Sequence, residues 1–204
     1  MYKQLSSALD QKVTVLQLCQ DGATGNFTWE PVRRRWASVV PDAGRNLFSS
    51  VGIGARGAAV TLRTDPGLTL HNALLWEGQF LFLTSLVCGE QRDRLELKAA
   101  VCDPIVLTAN PQDRTGRDEM NRPTIVKQAA FSFPGILTEL YRRNQPEEVY
   151  RTISVQRALV TPKEIKLRPG TVLTVAGGER YVVRTVQDLD AYKNEYVLEQ
   201  EVDV

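Results

Sequence analysis

The sequence has few of the side chains on which catalysis and metal binding usually depend. Histidine occurs once, as His71, and cysteine only three times. A zinc site needs several His, Cys, Asp or Glu side chains at ligand spacing, and no such cluster accompanies His71. The G-x-S-x-G motif of serine nucleophile elbows is also absent. We therefore expect a protein that is not an enzyme and that binds neither a metal nor a cofactor.

One glycine-rich stretch, at residues 52–57, resembles a phosphate-binding loop only superficially. No Lys-Ser or Lys-Thr pair follows it, and no βαβ pattern surrounds it. A nucleotide site needs both of these features, so the stretch predicts none.

Cysteine usage and hydropathy indicate where the chain is made. The three cysteines are odd in number and lie in apolar, strand-like runs, which predicts buried free thiols and a reducing place of synthesis. Residues 1–10 are polar and lack the apolar core of a signal peptide. No run approaches the roughly 18 apolar residues of a membrane helix. We expect a soluble protein made in a cytoplasm, with no membrane contact.

The chain also lacks an excess of one charge. Lys and Arg number 25 against 24 Asp and Glu, for a net charge of +1. Sequence-independent nucleic-acid affinity comes mainly from Lys and Arg neutralising phosphates, so the balance argues against tight DNA wrapping.

The strongest positive feature is a self-similarity between two halves, offset by roughly one hundred residues. Gly78 opens an apolar run, a polar turn and a second run, and Gly178 opens the same succession. Upstream, residues 13–16 resemble residues 105–108, and the longer runs 29–40 and 124–137 also correspond. Two copies of one supersecondary design are therefore predicted.

Short alternating or β-branched runs bounded by Gly, Pro, Asp or Asn dominate both halves, which is typical of strands. The fold class predicted is all-β, with two tandem small antiparallel β-barrel or sandwich domains and long inter-strand loops. The domains predicted are residues 1–103 and a diverged copy at residues 104–204. Helix is considered only for residues 1–10 and 135–143, and a strand is equally compatible with the latter.

Each half carries one long segment predicted to be irregular, at residues 41–57 and 139–156. Long loops without structure of their own tend to be functional or disordered. The first segment holds apolar side chains that would be unfavourable in water. We therefore expect it to contact a neighbouring subunit or a channel, although folding back on its own barrel is the alternative. The residues assigned to this contact are Gly44, Arg45, Asn46, Leu47, Phe48, Val51, Ile53 and Arg56.

Two arginine clusters are candidate contact sites. On a strand, Arg33 and Arg35 share one face and Arg34 takes the other. Such charge protects a sheet edge from unwanted pairing or contacts a subunit, and a phosphate backbone is the alternative. The same interpretation applies to the later cluster, which consists of Tyr141, Arg142 and Arg143.

The order of these runs resembles the head–tail joining, or head-closure (stopper), proteins of tailed bacteriophages. The resemblance rests on a first strand at 12–15, a tryptophan-containing strand at 35–39, a strand at 61–63, a glycine turn at 76–80 and a final strand at 95–97. It covers residues 12–102 and, more faintly, 104–204, where Phe131 or Phe133 replaces Trp36. The tandem copy departs from the single domain usual in the family.

What the resemblance implies is a virion structural protein of the phage neck, made in the bacterial host cytoplasm. It implies a homo-oligomeric ring that joins the capsid portal or adaptor to the tail and that the passing genomic DNA contacts transiently. A tail terminator or a tail-tip adaptor ring is an alternative within the same class. From another class, a tandem barrel that binds single-stranded nucleic acid is a further alternative, although aromatic residues make up only 7% of the chain.

Overall fold

The computed structural model describes residues 9–47, 54–90, 92–112, 114–117, 120, 122–126, 128–139, 156–188 and 191–201. Within these residues the secondary structure consists of fourteen β-strands, with no helix. The predicted all-β class is confirmed. The helical alternative for residues 135–143 is wrong at its start, because Phe131–Glu139 is a strand. The helix considered for residues 1–10 falls almost wholly outside the described residues.

The first six strands form a closed antiparallel barrel in the order β1-β2-β3-β6-β5-β4. Closure is made by β4 against β1, where Thr14 lies opposite Leu75. The strands are β1 (Gln11–Gln20), β2 (Phe27–Leu47), β3 (Gly54–Arg63), β4 (Ala73–Trp76), β5 (Gln79–Cys88) and β6 (Arg94–Cys102).

The second barrel is also closed, in the order β10-β11-β14-β13-β12-β7. A separate two-stranded hairpin, β8 with β9, lies in the chain between β7 and β10. The strands are β7 (Ile105–Asn110), β8 (Arg114–Arg117), β9 (Pro123–Val126), β10 (Phe131–Glu139), β11 (Gln156–Pro162), β12 (Val172–Val175), β13 (Arg180–Asp188) and β14 (Lys193–Gln200).

The two barrels have one topology. When β7 is matched to β1, β10 to β2, β11 to β3 and β12–β14 to β4–β6, the cyclic strand orders are identical. Both turn glycines have a positive φ, 81° at Gly78 and 86° at Gly178. At the first turn Glu77 also has a positive φ, as a two-residue type I′ hairpin requires.

A β-bulge recurs at the same place in both copies. The register of β5 against β6 shifts between Leu83 and Ser85, and that of β13 against β14 shifts between Val183 and Thr185. In each copy the shift comes at the sixth residue after the turn glycine. Bulges bend and twist a strand, so the shared position gives both barrels the same local curvature.

Two sequence-based correspondences need correction. Val15 lies opposite Leu74 while Ala109 lies opposite Leu173, so β7 corresponds to β1 two residues later than the apolar patterns suggested. A slip of two keeps the same side chains facing inward, and alternation therefore cannot detect it. The single run expected at residues 124–137 is also wrong, because it consists of two strands, β9 and the start of β10.

Each barrel is filled by the inward rows of its strands. In the first barrel the inward residues of β5 are Leu81 and Leu83, and in the second the equivalent residues of β13 are Tyr181 and Val183. All four side chains are at most 1% exposed.

In each barrel, one connecting segment crosses an end of the barrel and completes its core. β3 and β4 are three places apart in the six-stranded order, so residues 64–72 must cross one end of the first barrel, where Leu68 packs into the core. Residues 163–171 make the same crossing between β11 and β12, with Ile165 and Leu167 buried. There the Tyr196 hydroxyl donates to the Ile165 carbonyl at 2.8 Å and accepts from the Leu167 N–H at 3.2 Å.

The chain forms two compact units. One comprises Met1–Cys19 and Thr28–Pro104, and the other comprises Gln20–Phe27 and Ile105–Val204. Within the second unit, the Asn26 side-chain oxygen accepts hydrogen bonds from the Ser132 N–H at 2.7 Å and hydroxyl at 3.1 Å. The domain division expected at residues 103 and 104 stays a prediction.

Gly135 on β10 offers a test of the second core. A Cβ at this position would lie 2.7 Å from Leu159 Cδ1 and 3.0 Å from Leu107 Cδ1, and both leucines are fully buried. Because neither leucine can move into solvent, we expect Gly135→Ala to lower the free energy of unfolding by about 1–3 kcal/mol. Urea denaturation of the full chain measures this. Gly177→Ala is the control, since nothing lies within 4 Å of its Cβ position. Equal effects of the two substitutions would contradict the packing described.

Candidate functional site

Asp65 joins the crossing segment of the first barrel to β2. The Arg33 Nε donates to Asp65 Oδ2 at 2.8 Å, and the Arg35 Nε donates to the same oxygen at 3.0 Å. The Gly67 N–H donates to Asp65 Oδ1 at 3.0 Å. A Cβ at Gly67 would lie 3.1 Å from Arg33 Nη2, so the glycine leaves room for the guanidinium.

Two opposing effects set the pKa of Asp65. Burial raises it, but hydrogen bonds from Arg33, the Gly67 N–H and Arg35, together with the Arg33 charge, outweigh burial and hold the pKa below its ordinary value. The carboxylate is therefore ionised at neutral pH and attached to both arginines. Because the side chain of Asp65 is only 8% exposed, these bonds are better shielded from solvent than those of a surface ion pair.

The arginine run is thus divided between two roles. Arg33 and Arg35 share a face, as alternation predicts, and they hold the crossing segment. β2 lies between β1 and β3 in a closed barrel, but its pairing with β3 begins at Ala37, so protection of a sheet edge by the arginine run stays a prediction. Arg34 is exposed on the opposite face, and its contact with a subunit stays a prediction.

The outer face of β2 exposes apolar side chains. Val32 is 48% exposed, Trp36 53% and Val40 59%, and alternation places all three with Arg34 on the outside of the barrel. The Lys12 ammonium of β1 lies 5.0 Å from the centre of the Trp36 ring, within the range of a cation–π interaction. We call this surface the β2 face: Lys12, Val32, Arg34, Trp36 and Val40.

Sequence reasoning used Trp36 only as a strand marker and missed the β2 face. The sequence did hold a signal for this surface, because residues 36–40 place apolar side chains on both faces of the strand. Ala37 and Val39 are buried in the core, which leaves Trp36 and Val40 outside. Asp65 was missed as well, since Asp65-Pro66-Gly67 indicates only a turn and its partners are about thirty residues away.

The segment predicted as an irregular loop at residues 41–57 is largely strand. β2 continues to Leu47 and β3 begins at Gly54, with Leu47 opposite Gly54 and Arg45 opposite Arg56. β3 pairs with β6 only from Arg56 onward, so the paired ends of β2 and β3 extend beyond the barrel wall. We call the paired residues 45–47 and 54–56 the arm. The prediction failed because glycines and a proline in this segment suggested turns, whereas backbone pairing with β3 continues past them.

The predicted contact residues that the structure describes lie in the arm or beside it. Gly44 lies in a register shift of β2 between Asp42 and Arg45, where the strand is bent. Arg45, Asn46 and Leu47 follow on β2, and Arg56 is exposed on β3. Phe48, Val51 and Ile53 lie outside the described residues. So does the second cluster, Tyr141, Arg142 and Arg143, and the contacts predicted for all these residues stay predictions.

The cysteines are free, as expected, but not uniformly buried. Cys19 and Cys102 are half-buried and Cys88 is exposed. The prediction of burial is therefore wrong for Cys88, which is exposed as the last residue of β5. Burial raises the pKa of the Cys102 thiol to about 12, which keeps that side chain protonated and unreactive at neutral pH.

A cavity of about 220 Å³ lies in the second unit, beside the crossing segment. Lys166 and Arg168 line it, together with amide side chains and the ring of Phe131. No carboxylate or thiol lines it among the described residues. Across all the residues that the structure describes, no group of three or more His, Cys, Asp or Glu is placed to hold a metal ion. Within the described residues there is no helix of the length and hydropathy needed to cross a membrane.

Asp65→Asn tests the attachment of the crossing segment. Both arginines lose their charged acceptor, so we expect the free energy of unfolding at pH 7 to fall by about 2 kcal/mol. The folded pKa of Asp65 is lowered, so its contribution is full above the unfolded value of about 3.9 and is lost as the pH falls through the folded value. Urea titrations between pH 7 and pH 2.5 should therefore show a shallower acid loss in the variant.

Asp188→Asn is the matched control for this substitution. Asp188 is 81% exposed and pairs with Lys163 at 3.1 Å, so we expect a change below about 0.5 kcal/mol at pH 7. A loss of stability in Asp188→Asn as large as that in Asp65→Asn would refute the special role of Asp65.

Comparison with known proteins found a likeness of structure. No family model matches the chain, and no curated protein matches it. The chain is similar to one from a solved structure described as the virion of a native gene transfer agent particle, with a TM-score of 0.35 and 13% sequence identity. The match covers 44% of this chain and 91% of that chain. A TM-score of this size carries no functional argument.

Proposed function

We propose that this protein is a non-enzymatic structural component of a phage-like virion. Its place is the neck, where it forms a homo-oligomeric ring between the capsid portal or adaptor and the tail. The observation that carries the proposal is the exposed Trp36 on the wall of a closed barrel, with Val32 and Val40 exposed on the same face of the strand.

Barrel closure restricts how such a chain can assemble. A closed sheet has no unpaired edge to which a strand of another subunit could be added. Contacts must therefore use side chains on the wall or segments that extend from it. The β2 face supplies the first, and tryptophan on a rigid strand is a residue type that dominates binding energy at interfaces.

The arm supplies the second kind of contact. It continues the paired β2 and β3 past the last pairing of β3 with β6, and the bulge near Gly44 redirects it. A paired hairpin loses less conformational entropy on binding than an unstructured loop, so it suits a lasting contact with a neighbouring ring or the channel.

A ring also agrees with the charge of the chain. Heterologous contacts close into a ring when the rotation between neighbours permits, and many weak contacts then act together. A net charge of +1 keeps DNA from binding tightly to a conduit through which it must move. A tail terminator or tail-tip ring shares these properties and remains the alternative position.

Electron cryo-microscopy of intact particles tests the position. We expect a ring with two barrels per subunit between portal and tail, and unjoined heads and tails in particles lacking the protein. A ring at the far end of the tail, or no copy in the particle, would overturn the neck assignment.

Shortening the arm tests its role in joining. We replace residues 46–55 by an Asn-Gly turn, which preserves every pairing of β3 with β6. The variant should keep its circular dichroism spectrum and thermal midpoint but yield few joined particles, counted by infectivity and microscopy. Deletion of the β8–β9 hairpin at residues 114–126, which pairs with no barrel strand, is the control. Normal joining by the shortened variant would contradict the proposed contact.

The nucleic-acid alternative makes an opposite prediction. A single-stranded DNA-binding barrel should shift a labelled oligonucleotide at low salt and release it as salt rises. We expect no such shift at micromolar protein concentration.

A further inference from the structure

We propose that neighbouring copies bind head to tail through two different walls of the first barrel. The β2 face of one copy contacts the outer face of β5 and β6 of the next. This inference rests on the ring assembly proposed above and specifies which surfaces form it.

The β2 face is apolar and basic. Trp36 and Val40 are more than half exposed, and Lys12 and Arg34 are exposed beside them. Among the described residues no ion-pair partner is seen for either cation, and the Lys12 ammonium lies over the Trp36 ring. The nearest acidic side chains along this row are at its two ends, Glu30 and Asp42.

The second surface, which we call the β5–β6 face, consists of Ser85, Val87, Glu96 and Lys98. Val87 is 56% exposed and lies directly opposite Glu96, which is also exposed. Glu96 has no cationic partner among the described side chains, whereas the next cation towards the turn, Arg94, pairs with Asp93 at 3.7 Å. Lys98 lies further along β6, opposite Ser85. An exposed valine beside an unpaired carboxylate complements an exposed tryptophan beside an unpaired guanidinium.

The barrel places these two faces on opposite sides. In the order β1-β2-β3-β6-β5-β4, β5 is three places from β2 in either direction. A head-to-tail contact needs two such distinct surfaces, and a ring or filament follows from their repetition. Pairing of the β2 face with itself would bring Lys12 and Arg34 of both copies together, which like-charge repulsion opposes.

Charge exchange tests the pairing in solution. Arg34→Glu and Glu96→Arg should each raise the dissociation constant for self-association at least about tenfold, measured by analytical ultracentrifugation. The double variant should return to within about threefold of the original chain. Lys166→Glu changes the net charge equally but lies in the crossing segment of the second barrel, so it should leave association unchanged and should not rescue Glu96→Arg. Failure of Arg34→Glu to rescue Glu96→Arg would overturn the pairing.

Disulfide trapping tests the geometry independently of affinity. In a Cys88→Ser background, chains carrying Arg34→Cys are mixed with chains carrying Val87→Cys and oxidised, both purified and in assembled particles. We expect a mixed dimer and little disulfide in either variant alone. Cys102 contributes little because burial keeps its thiol protonated. Absence of the mixed dimer in both settings, or efficient linkage of Arg34→Cys to itself, would overturn the proposal.

The two hypotheses fail differently. A neck ring without the 34–87 linkage would leave the function standing and refute these surfaces. Conversely, the linkage in a ring found elsewhere would support the surfaces and refute the neck assignment.

Discussion

Closure of the sheet is the constraint on which the other features of this protein depend. Six antiparallel strands close each barrel, so every barrel strand has a neighbour on both sides, and free edges remain where strands extend past a neighbour, as in the arm. Inward side chains fill the barrel, whereas outward side chains such as Trp36 and Val40 remain exposed. The same closure puts β3 and β4 on opposite sides, which forces residues 64–72 across one end of the barrel.

The two copies keep this topology but hold their crossing segments by different chemistry. In the first barrel the segment is held by a carboxylate, Asp65, between two arginines of β2. In the second it is held by Tyr196 of β14, whose hydroxyl bonds two backbone groups of the segment. The first is charged and is lost in acid, whereas the second is neutral over the same pH range. The two barrels thus share a backbone path more closely than the side chains that hold it.

Most of the fold could be predicted from the sequence. Alternation and turn residues predicted strands where β1, β5, β6 and β13 lie, because these strands have one buried face and end at turns. The arm was mistaken for a loop, since its pairing partner and not its composition keeps it extended. The candidate site was predicted less well: the arginine run was noticed, but Asp65, Trp36 and Val40 were not assigned.

The sequence by itself determined that the chain is a repeated all-β design, with strands opening at equivalent glycines, Gly78 and Gly178. These are local properties, set by side-chain period and by backbone conformations that glycine alone adopts easily. Tertiary structure decided that β2 lies within a closed barrel, that Arg33 and Arg35 meet Asp65, and that Trp36 remains outside. Those outcomes depend on which distant strands pair, and alternation is unchanged by a slip of two residues or a change of neighbour.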